Sequence, residues 1–155
     1  MGGHMKRFLT MIMLVSYAAF PLTAQAQDDL VWLDYSDEIQ GIENDFMADG
    51  NVVVISYSTE WCHACETQEN LIDRMRADNP DYEKMKFIRV NFDDFEKRAI
   101  VRNYDVFGRS TILVIQSGGE IANIFAETSR NVIRDALDAG LAAAVEHEAS
   151  GAVTN

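Results

Sequence analysis

The fold is decided by residues 52–65, whose sequence is VVVISYSTEWCHAC. The part from Val52 to Tyr57 is β-branched and almost continuously apolar, which is typical of a central strand covered on both faces. From Cys62 onward the apolar residues recur near a period of 3.6, which predicts a helix. The only two cysteines of the chain, Cys62 and Cys65, therefore lie where a buried strand gives way to a helix.

The predicted helix has an apolar face and a polar face. The residues expected to be buried share a helical spacing: Cys65, Leu71, Ile72 and Met75. The residues expected to face water lie between them: Glu66, Gln68, Glu69, Asp73 and Arg74. The sequence DNPD at 78–81 ends the helix, because proline disfavours a helical conformation in the residue before it.

Upstream of the central strand, the pattern predicts a short strand and a helix. Residues 30–33, with the sequence LVWL, suit a buried strand. Ser36 or Asp37 can cap a helix whose inward-facing residues are Ile39, Ile42, Phe46 and Met47. The sequence DGN at 49–51 predicts the turn that follows.

Downstream of the first long helix, the pattern predicts a strand at 85–92. The acidic pair at 93–94 then begins a helix that runs through Ala99, Ile100 and Tyr104. Strands and helices thus continue to alternate.

The last part of the predicted domain contains a hairpin and a helix. Residues 111–115 and 120–125 predict two antiparallel strands joined by a tight turn at 117–119. Thr128 or Ser129 caps a helix with one apolar stripe, made of Val132, Ile133, Ala136, Leu137 and Leu141.

The order of elements, β-α-β-α-β-α-β-β-α, predicts an α/β fold with helices on both faces of a mixed central sheet. Residues 27–145 form one predicted domain. The apolar pattern fades after Val145, so we predict a disordered tail at 146–155.

The first 26 residues differ in composition from the predicted domain. Lys6 and Arg7 precede a largely apolar segment at 8–20, and the sequence AQA at 24–26 suits signal peptidase. The apolar segment is shorter than the ~20 residues that span a bilayer. We therefore predict a signal peptide at 5–26, preceded by a cloning remnant or misplaced start at 1–4, and a periplasmic or secreted protein with no stable membrane insertion.

The chain is acidic, with 13 basic and 25 acidic residues. Loss of Lys6 and Arg7 with the signal peptide leaves 11 basic residues, which gives the mature chain a formal charge of −14. Nucleic acid and anionic membrane surfaces repel such a chain, so neither is expected as a partner. The sequence contains no glycine-rich nucleotide-binding loop, and no cofactor is predicted.

The spacing of the two cysteines bears on their role. A bridge between Cys62 and Cys65 would close a very short loop, and in the chain-entropy model such a bridge restricts the unfolded chain only a little. We therefore favour a redox pair over a static disulfide. Structural zinc is not expected, because only His63 and His147 remain as further histidines after signal cleavage and no second cysteine pair is present.

Three features occur together in this chain: the strand and helix that meet at WCHAC (61–65), the sequence GRST at 108–111 before an apolar strand, and the sequence GGE at 118–120 in a hairpin. This combination resembles the thioredoxin family over about residues 28–145. Within the family, residues 59–65 are most similar to thioredoxin-like domains of exported thiol reductases, including the C-terminal domain of the DsbD electron-transfer protein.

The resemblance implies a thiol-disulfide oxidoreductase that exchanges electrons with protein disulfides, with the reductase direction preferred. Cys62 would be the exposed attacking cysteine, Cys65 the buried resolving cysteine and Trp61 a wall of the site. A thiol at a helix N-terminus favours the thiolate, and His63 adds positive charge when protonated. The implied partners are protein thiol or disulfide substrates and a protein electron donor, and we expect a monomer.

Two positions depart from the family pattern. Ser110 stands where the family has a cis-proline against the dithiol. A cis bond before another residue costs ~3 kcal/mol or more, so we expect the Arg109–Ser110 bond to be trans. Ser56 stands where many thioredoxins have a buried acid that accepts the proton of the resolving thiol, and we expect water or Glu60 to take that role.

Because the loop should differ from that of its relatives, Arg109, Ser110 and Thr111 are further candidates for substrate contact. An alternative function is a non-catalytic thioredoxin-like module that binds a client protein or a metal through the cysteines. The hydroxyl of Ser110 and the space left by proline would allow two protomers to share copper or an iron–sulfur cluster.

Overall fold

A five-stranded sheet forms the centre of the computed structural model, which describes residues 31–117 and 119–152. The strands are β1 Leu33–Asp34, β2 Val53–Ser58, β3 Lys86–Asn91, β4 Thr111–Gln116 and β5 Gly119–Phe125. Their spatial order is β1-β3-β2-β4-β5, which places β2 in the middle. Strands β1 and β2 are parallel to β3, whereas β4 is antiparallel to both β2 and β5. The predicted mixed sheet and antiparallel hairpin are confirmed.

Helices cover both faces of this sheet. They are α1 Ile42–Ala48, α2 His63–Asp78, α3 Phe92–Phe95, α4 Ala99–Arg102 and α5 Arg130–Ala152. Two short 3₁₀ turns, Asp37–Ile39 and Pro80–Lys84, precede α1 and β3.

Strand β2 contributes to a core on each side because successive side chains of a strand point to opposite faces. Val54 packs with α2 and α5 residues such as Ile72 and Leu137. Val53, Ile55 and Tyr57 pack on the other side with Ile100 of α4 and with partly buried residues of α1 and α3. The central strand is therefore buried on both faces, as its sequence predicts.

Two predicted helices differ from the structure. The helix expected from Ser36 or Asp37 is interrupted at Gly41, whose φ of 83° lies in the left-handed region, so α1 begins only at Ile42. The helix expected from 93–94 is divided into α3 and α4, with turns at 96–98 between them. Neither break changes which face of the sheet these segments cover.

The prediction of a disordered tail from 146 is wrong for the residues described, because α5 continues to Ala152. This last part of the helix makes two contacts with the rest of the domain. The Glu148 carboxylate accepts a hydrogen bond from Lys84 Nζ at 3.1 Å. The His147 ring lies against Gly50, where a Cβ atom would come within 1.9 Å of His147 Nε2. Val132, predicted to face inward, is 41% exposed.

The predicted signal peptide, residues 5–26, lies outside the described part of the chain, as do residues 1–4 and 153–155. No helix among the described residues is both long enough and apolar enough to cross a membrane.

Candidate active site

The two cysteines lie at the end of β2 and the start of α2. Cys62 is the N-cap of α2, and the side chains of Cys62 and Cys65 form a disulfide. Cys62 is partly exposed, whereas Cys65 is only 1% exposed. Cys62 is thus the more exposed residue of the pair, and Cys65 is covered by the domain.

The surroundings of Cys62 favour a thiolate in the reduced form. The backbone N–H of Cys65 donates a hydrogen bond to Cys62 Sγ at 3.2 Å. The sulfur also caps a helix of 16 residues, whose N-terminal end has a partial positive charge. Both interactions become stronger when the sulfur is negatively charged, so they favour the nucleophilic form.

The buried sulfur and Ser110 meet at one backbone carbonyl. Cys65 Sγ lies 3.9 Å from Tyr57 O, and the same oxygen accepts a hydrogen bond from Ser110 N at 2.7 Å. The structure therefore brings together Cys65 and Ser110, which are 45 positions apart in the sequence. A proline at position 110 has no N–H and could not form this bond.

Ser110 has an unusual backbone conformation. No cis peptide bond occurs among the described residues, so the expected trans bond between Arg109 and Ser110 is confirmed. The φ angle of Ser110 is 66°, in the left-handed region that non-glycine residues rarely adopt. Ala126, the other described non-glycine residue with positive φ, donates its N–H to Ser110 O at 2.8 Å.

Gln68 of α2 connects the loop that contains Ser110 with the segment that contains Ala126 and Glu127. Its Nε2 donates to Ser110 O at 3.2 Å and to Glu127 O at 2.8 Å, and its Oε1 accepts from Ser110 Oγ at 3.2 Å. The expectation that Gln68 faces water is wrong, because its exposure is 0%. A signal for its burial was present, since Gln68 is three positions after Cys65 and four before Ile72 on the same helical face.

A second polar network lies on the other side of the dithiol. Ser56 Oγ donates to Glu69 Oε1 at 2.8 Å, and Glu69 Oε2 accepts from Arg89 Nε at 2.9 Å. Arg89 Nη1 continues the network to Asp34 Oδ1 at 3.1 Å. Glu69 was expected to face water, but its side chain is only 15% exposed. Sequence patterns do not indicate this network, because its four residues come from four separate elements.

Glu69 also lies in a cleft that reaches the dithiol. The cleft has a volume of about 230 Å³, and both Cys62 and Cys65 line it, together with Glu60, Glu69 and Arg89. A neighbouring cleft of about 370 Å³ shares Glu60, Glu69 and Arg89. Carboxylates therefore line the same cleft as the two cysteines even though Ser56 is not an acid.

The residues around Cys62 in the sequence lie on the outside of the domain. Trp61 is 91% exposed, and Glu60 and His63 are also exposed. His63 Nδ1 lies 3.6 Å from Glu66 Oε2, and both side chains are largely in solvent. A contact between such exposed groups is worth little energetically, so the effect of His63 on Cys62 stays a prediction.

The remaining two candidates lie on either side of Ser110. Thr111 is buried, and its hydroxyl donates to Gly108 O at 2.7 Å, so it shapes the loop rather than facing a substrate. Arg109 is exposed, with Nη1 at 3.9 Å from Asp93 Oδ1. Within residues 31–117 and 119–152, no group of three or more His, Cys, Asp or Glu side chains is arranged to hold a metal ion.

Comparisons with known proteins identify relatives of this fold. The thioredoxin family model matches residues 39–139. The structure of Trxlp from Edwardsiella tarda is 26% identical in sequence, with a TM-score of 0.57, and the match covers 68% of this chain and 97% of that one. No curated protein sequence matches the chain significantly.

Two thioredoxin structures are more distant in sequence. The thioredoxin of Schistosoma mansoni is 18% identical, with a TM-score of 0.53 and coverage of 70% of this chain and 92% of that one. The oxidised thioredoxin of Plasmodium falciparum is 16% identical, with a TM-score of 0.53 and coverage of 70% and 96%. Likeness at this level of identity shows the fold alone. Since the family model covers more than half of the sequence, and the fold and the cysteine pair at the start of α2 agree with it, the chain belongs to the thioredoxin family.

Proposed function

We propose that this protein is an exported thiol-disulfide oxidoreductase that reduces disulfides in client proteins. The observation that carries the proposal is the asymmetry of the cysteine pair: Cys62 is accessible at the helix N-terminus, and Cys65 is buried within bonding distance of it. An accessible nucleophile beside a covered second thiol is what two successive exchange reactions require.

The reaction begins with the reduced pair. The Cys62 thiolate attacks one sulfur of a client disulfide, which forms a mixed disulfide and releases the other client sulfur as a thiolate that takes up a proton. The Cys65 thiol then loses its proton and attacks Cys62 Sγ. This step forms the Cys62–Cys65 disulfide and releases the second client thiolate. Two electrons have passed from the pair to the client, and a protein electron donor must return them.

We assign the proton-accepting role in the second step to Glu69. Glu69 is four positions after Cys65 on α2, lines the same cleft and is fixed by Ser56 and Arg89. Glu60 lines the cleft too, but its side chain is exposed and has no side-chain hydrogen bond to any other described residue. In this chain the acid would thus come from the helix rather than from β2, where Ser56 stands. Replacing Glu69 by Gln should slow release of the client from the mixed disulfide on the order of 10²-fold, whereas Glu96→Gln on the surface should not.

The proposed export rests on the sequence of residues 5–26, which has the charged, apolar and small-residue segments of a signal peptide. The likeness of residues 59–65 to exported thiol reductases supports the same location and the reductase direction. We also propose that the protein is a monomer.

Reduction of a disulfide-bonded protein such as insulin, in the presence of dithiothreitol, tests the proposed activity. We expect the protein to accelerate this reaction and Cys62→Ser to abolish the acceleration, because serine is a far weaker nucleophile towards disulfides. Cys65→Ser that has been reduced and then freed of dithiothreitol should instead accumulate a mixed disulfide with the client at Cys62. An inactive wild-type protein that is purified with stoichiometric metal would favour the non-catalytic, metal-binding module.

A further inference from the structure

Three exposed aromatic side chains lie on segments that are connected to the cysteine pair. Among the described residues, the large hydrophobic side chains that are exposed include three aromatic ones: Trp61 at 91%, Phe107 at 77% and Phe125 at 52%. The others are valines, at 31, 132 and 145. All the exposed large aromatics of the described chain thus belong to segments that lead to the active site. We call Trp61, Phe107 and Phe125 the aromatic edge.

The geometry of the fold ties these residues to the cysteines. Trp61 directly precedes Cys62. The rings of Phe107 and Phe125 are 6.0 Å apart, and Phe125 pairs with Thr111 across the β4–β5 ladder. Thr111 follows Ser110, whose N–H shares the Tyr57 carbonyl with Cys65 Sγ. The loop that carries Phe107 therefore ends beside the buried sulfur.

The aromatic edge does not contribute to the core of the domain. None of its three residues belongs to either buried cluster described for the sheet faces. Exposed aromatic groups of this kind mark contact surfaces, since aromatic side chains supply much of the binding energy at protein interfaces.

The charges around the aromatic edge are mainly negative. Glu60 and Glu66 are exposed beside the cysteines, and Asp105 is exposed two positions before Phe107. Arg109 is positively charged, but its Nη1 lies 3.9 Å from Asp93 Oδ1, and the negative charge of Asp93 partly offsets the charge of Arg109. The surface therefore favours a partner that combines apolar and positively charged groups.

We propose that the aromatic edge selects client segments in which a disulfide lies next to an aromatic or large apolar residue and a lysine or arginine. This proposal rests on the proposed function and names its substrate class. A second copy of the chain is disfavoured as the occupant, because it would bring like charges together on a chain with a formal charge of −12.

The test uses short synthetic peptides that each contain one disulfide. One peptide places phenylalanine and lysine beside the disulfide, a second replaces lysine with glutamate, and a third replaces phenylalanine with serine. We measure the second-order rate constant of the reduced protein with each peptide and with hydroxyethyl disulfide, a small neutral compound. The lysine peptide should react about fivefold faster than the glutamate peptide at low ionic strength, and added salt should reduce the difference.

Replacing the phenylalanine of the peptide with serine should slow the reaction about 3- to 10-fold. Phe107→Ser and Phe125→Ser should abolish this preference for phenylalanine over serine. Val132→Ser and Val145→Ser replace exposed hydrophobic residues of α5 and should retain it. Glu66→Gln should weaken the preference for lysine over glutamate.

Equal rates with all peptides, together with reduction of hydroxyethyl disulfide, would overturn the proposed selectivity but leave the proposed function intact. No reaction with any disulfide would instead overturn the proposed function. A dimer detected by light scattering that Phe107→Ser dissociates would assign the aromatic edge to self-association and overturn the client proposal.

Discussion

At the scale of single residues, the loop opposite the dithiol is held by hydrogen bonds rather than by a proline ring. Ser110 uses its N–H, its carbonyl and its hydroxyl in bonds to Tyr57, Ala126 and Gln68. These bonds offset the cost of a positive φ at Ser110, which is on the order of 1–3 kcal/mol.

Replacing Gln68 by Ala should therefore destabilise the domain and loosen this loop. The substitution removes one hydrogen bond from the buried Ser110 carbonyl and one from the partly buried Glu127 carbonyl. It should lower the free energy of unfolding by about 1–3 kcal/mol. Denaturant unfolding measures the free energy of unfolding. Hydrogen exchange at the Ser110 amide measures how far the loop is loosened.

Gln116→Ala is a matched control, because the Gln116 amide donates one bond to Gly50 O and lies outside the site. Gln116→Ala should lower the free energy of unfolding by less than Gln68→Ala does. It should leave hydrogen exchange at the Ser110 amide unchanged. Equal effects of the two variants on that amide would show that Gln68 has no special role there.

The sequence predicts part of this site. The trans bond at Ser110 follows from the cost of a cis bond before serine, and the burial of Cys65 follows from helical spacing. The exposure of Cys62 is implied by the resemblance to the thioredoxin family. The burial of Gln68 is marked by its spacing from Cys65 and Ile72, but a polar side chain at such a position normally indicates a solvent-facing residue. The positive φ of Ala126 has no signal in the sequence, because alanine does not favour that conformation.

At the scale of secondary structure, the strongest patterns predict their elements best. Strand β2 and helix α2 agree closely with the residues expected, since both have long regular apolar patterns. The short helices differ, because a single residue such as Gly41 can interrupt a weak pattern. The apolar pattern along the chain does not predict the end of α5, and the contacts observed there involve Lys84 and Gly50, which are distant in the sequence.

Helix α5 packs closely on the sheet at Gly140. A Cβ atom at this position would lie 2.8 Å from Met85 Sδ and 2.9 Å from Val114 Cγ1. Gly140→Val should thus force the helix away from the sheet and lower the free energy of unfolding by about 1–3 kcal/mol. Thermal unfolding measures this change. Gly151→Val is the control, because a Cβ atom there comes within 4 Å of no atom of the described residues outside its own helix, and its effect should stay within about 0.5 kcal/mol.

At the scale of the whole molecule, the core on the α1 side contains a buried acid. Glu43 is 2% exposed, its Oε2 has no hydrogen-bond partner among the described residues, and its Oε1 accepts from Asn44 Nδ2 at 3.0 Å. Burial, and to a smaller extent the charge of Asp45, raises the pKa of Glu43 above its ordinary value of 4.5. Between pH 4.5 and the higher pKa of the folded state, Glu43 therefore keeps its proton in the folded chain but has lost it in the unfolded chain.

This shift predicts how stability depends on pH. The contribution of Glu43 is fully present below pH 4.5, and it is lost as the pH rises through the higher pKa of the folded state. Glu43→Gln should therefore raise the free energy of unfolding at pH 7, on the order of 1 kcal/mol, and this gain should disappear in acid. Urea unfolding at several pH values tests the prediction, with surface Glu96→Gln as the control. A gain that persists at pH 3 would exclude ionisation of Glu43 as its cause.

The strand order of the whole sheet could not be predicted from periodicity, because the spacing of strands along the chain does not state which of them are neighbours. The order β1-β3-β2-β4-β5 is therefore known from the structure, whereas the sequence predicts only a mixed sheet that contains an antiparallel hairpin. The aromatic edge likewise depends on the tertiary fold, since Trp61, Phe107 and Phe125 come from three separate segments.

The central claim is that Cys62 and Cys65 cycle between a dithiol and a disulfide during function. Equilibration of the protein with graded redox buffers, followed by alkylation and mass spectrometry of the two cysteines, tests it most directly. We predict that both thiols change together in a two-electron transition with a midpoint between about −120 and −270 mV, the range of dedicated thiol-disulfide proteins. A midpoint below about −300 mV, which is typical of structural disulfides, would contradict the claim.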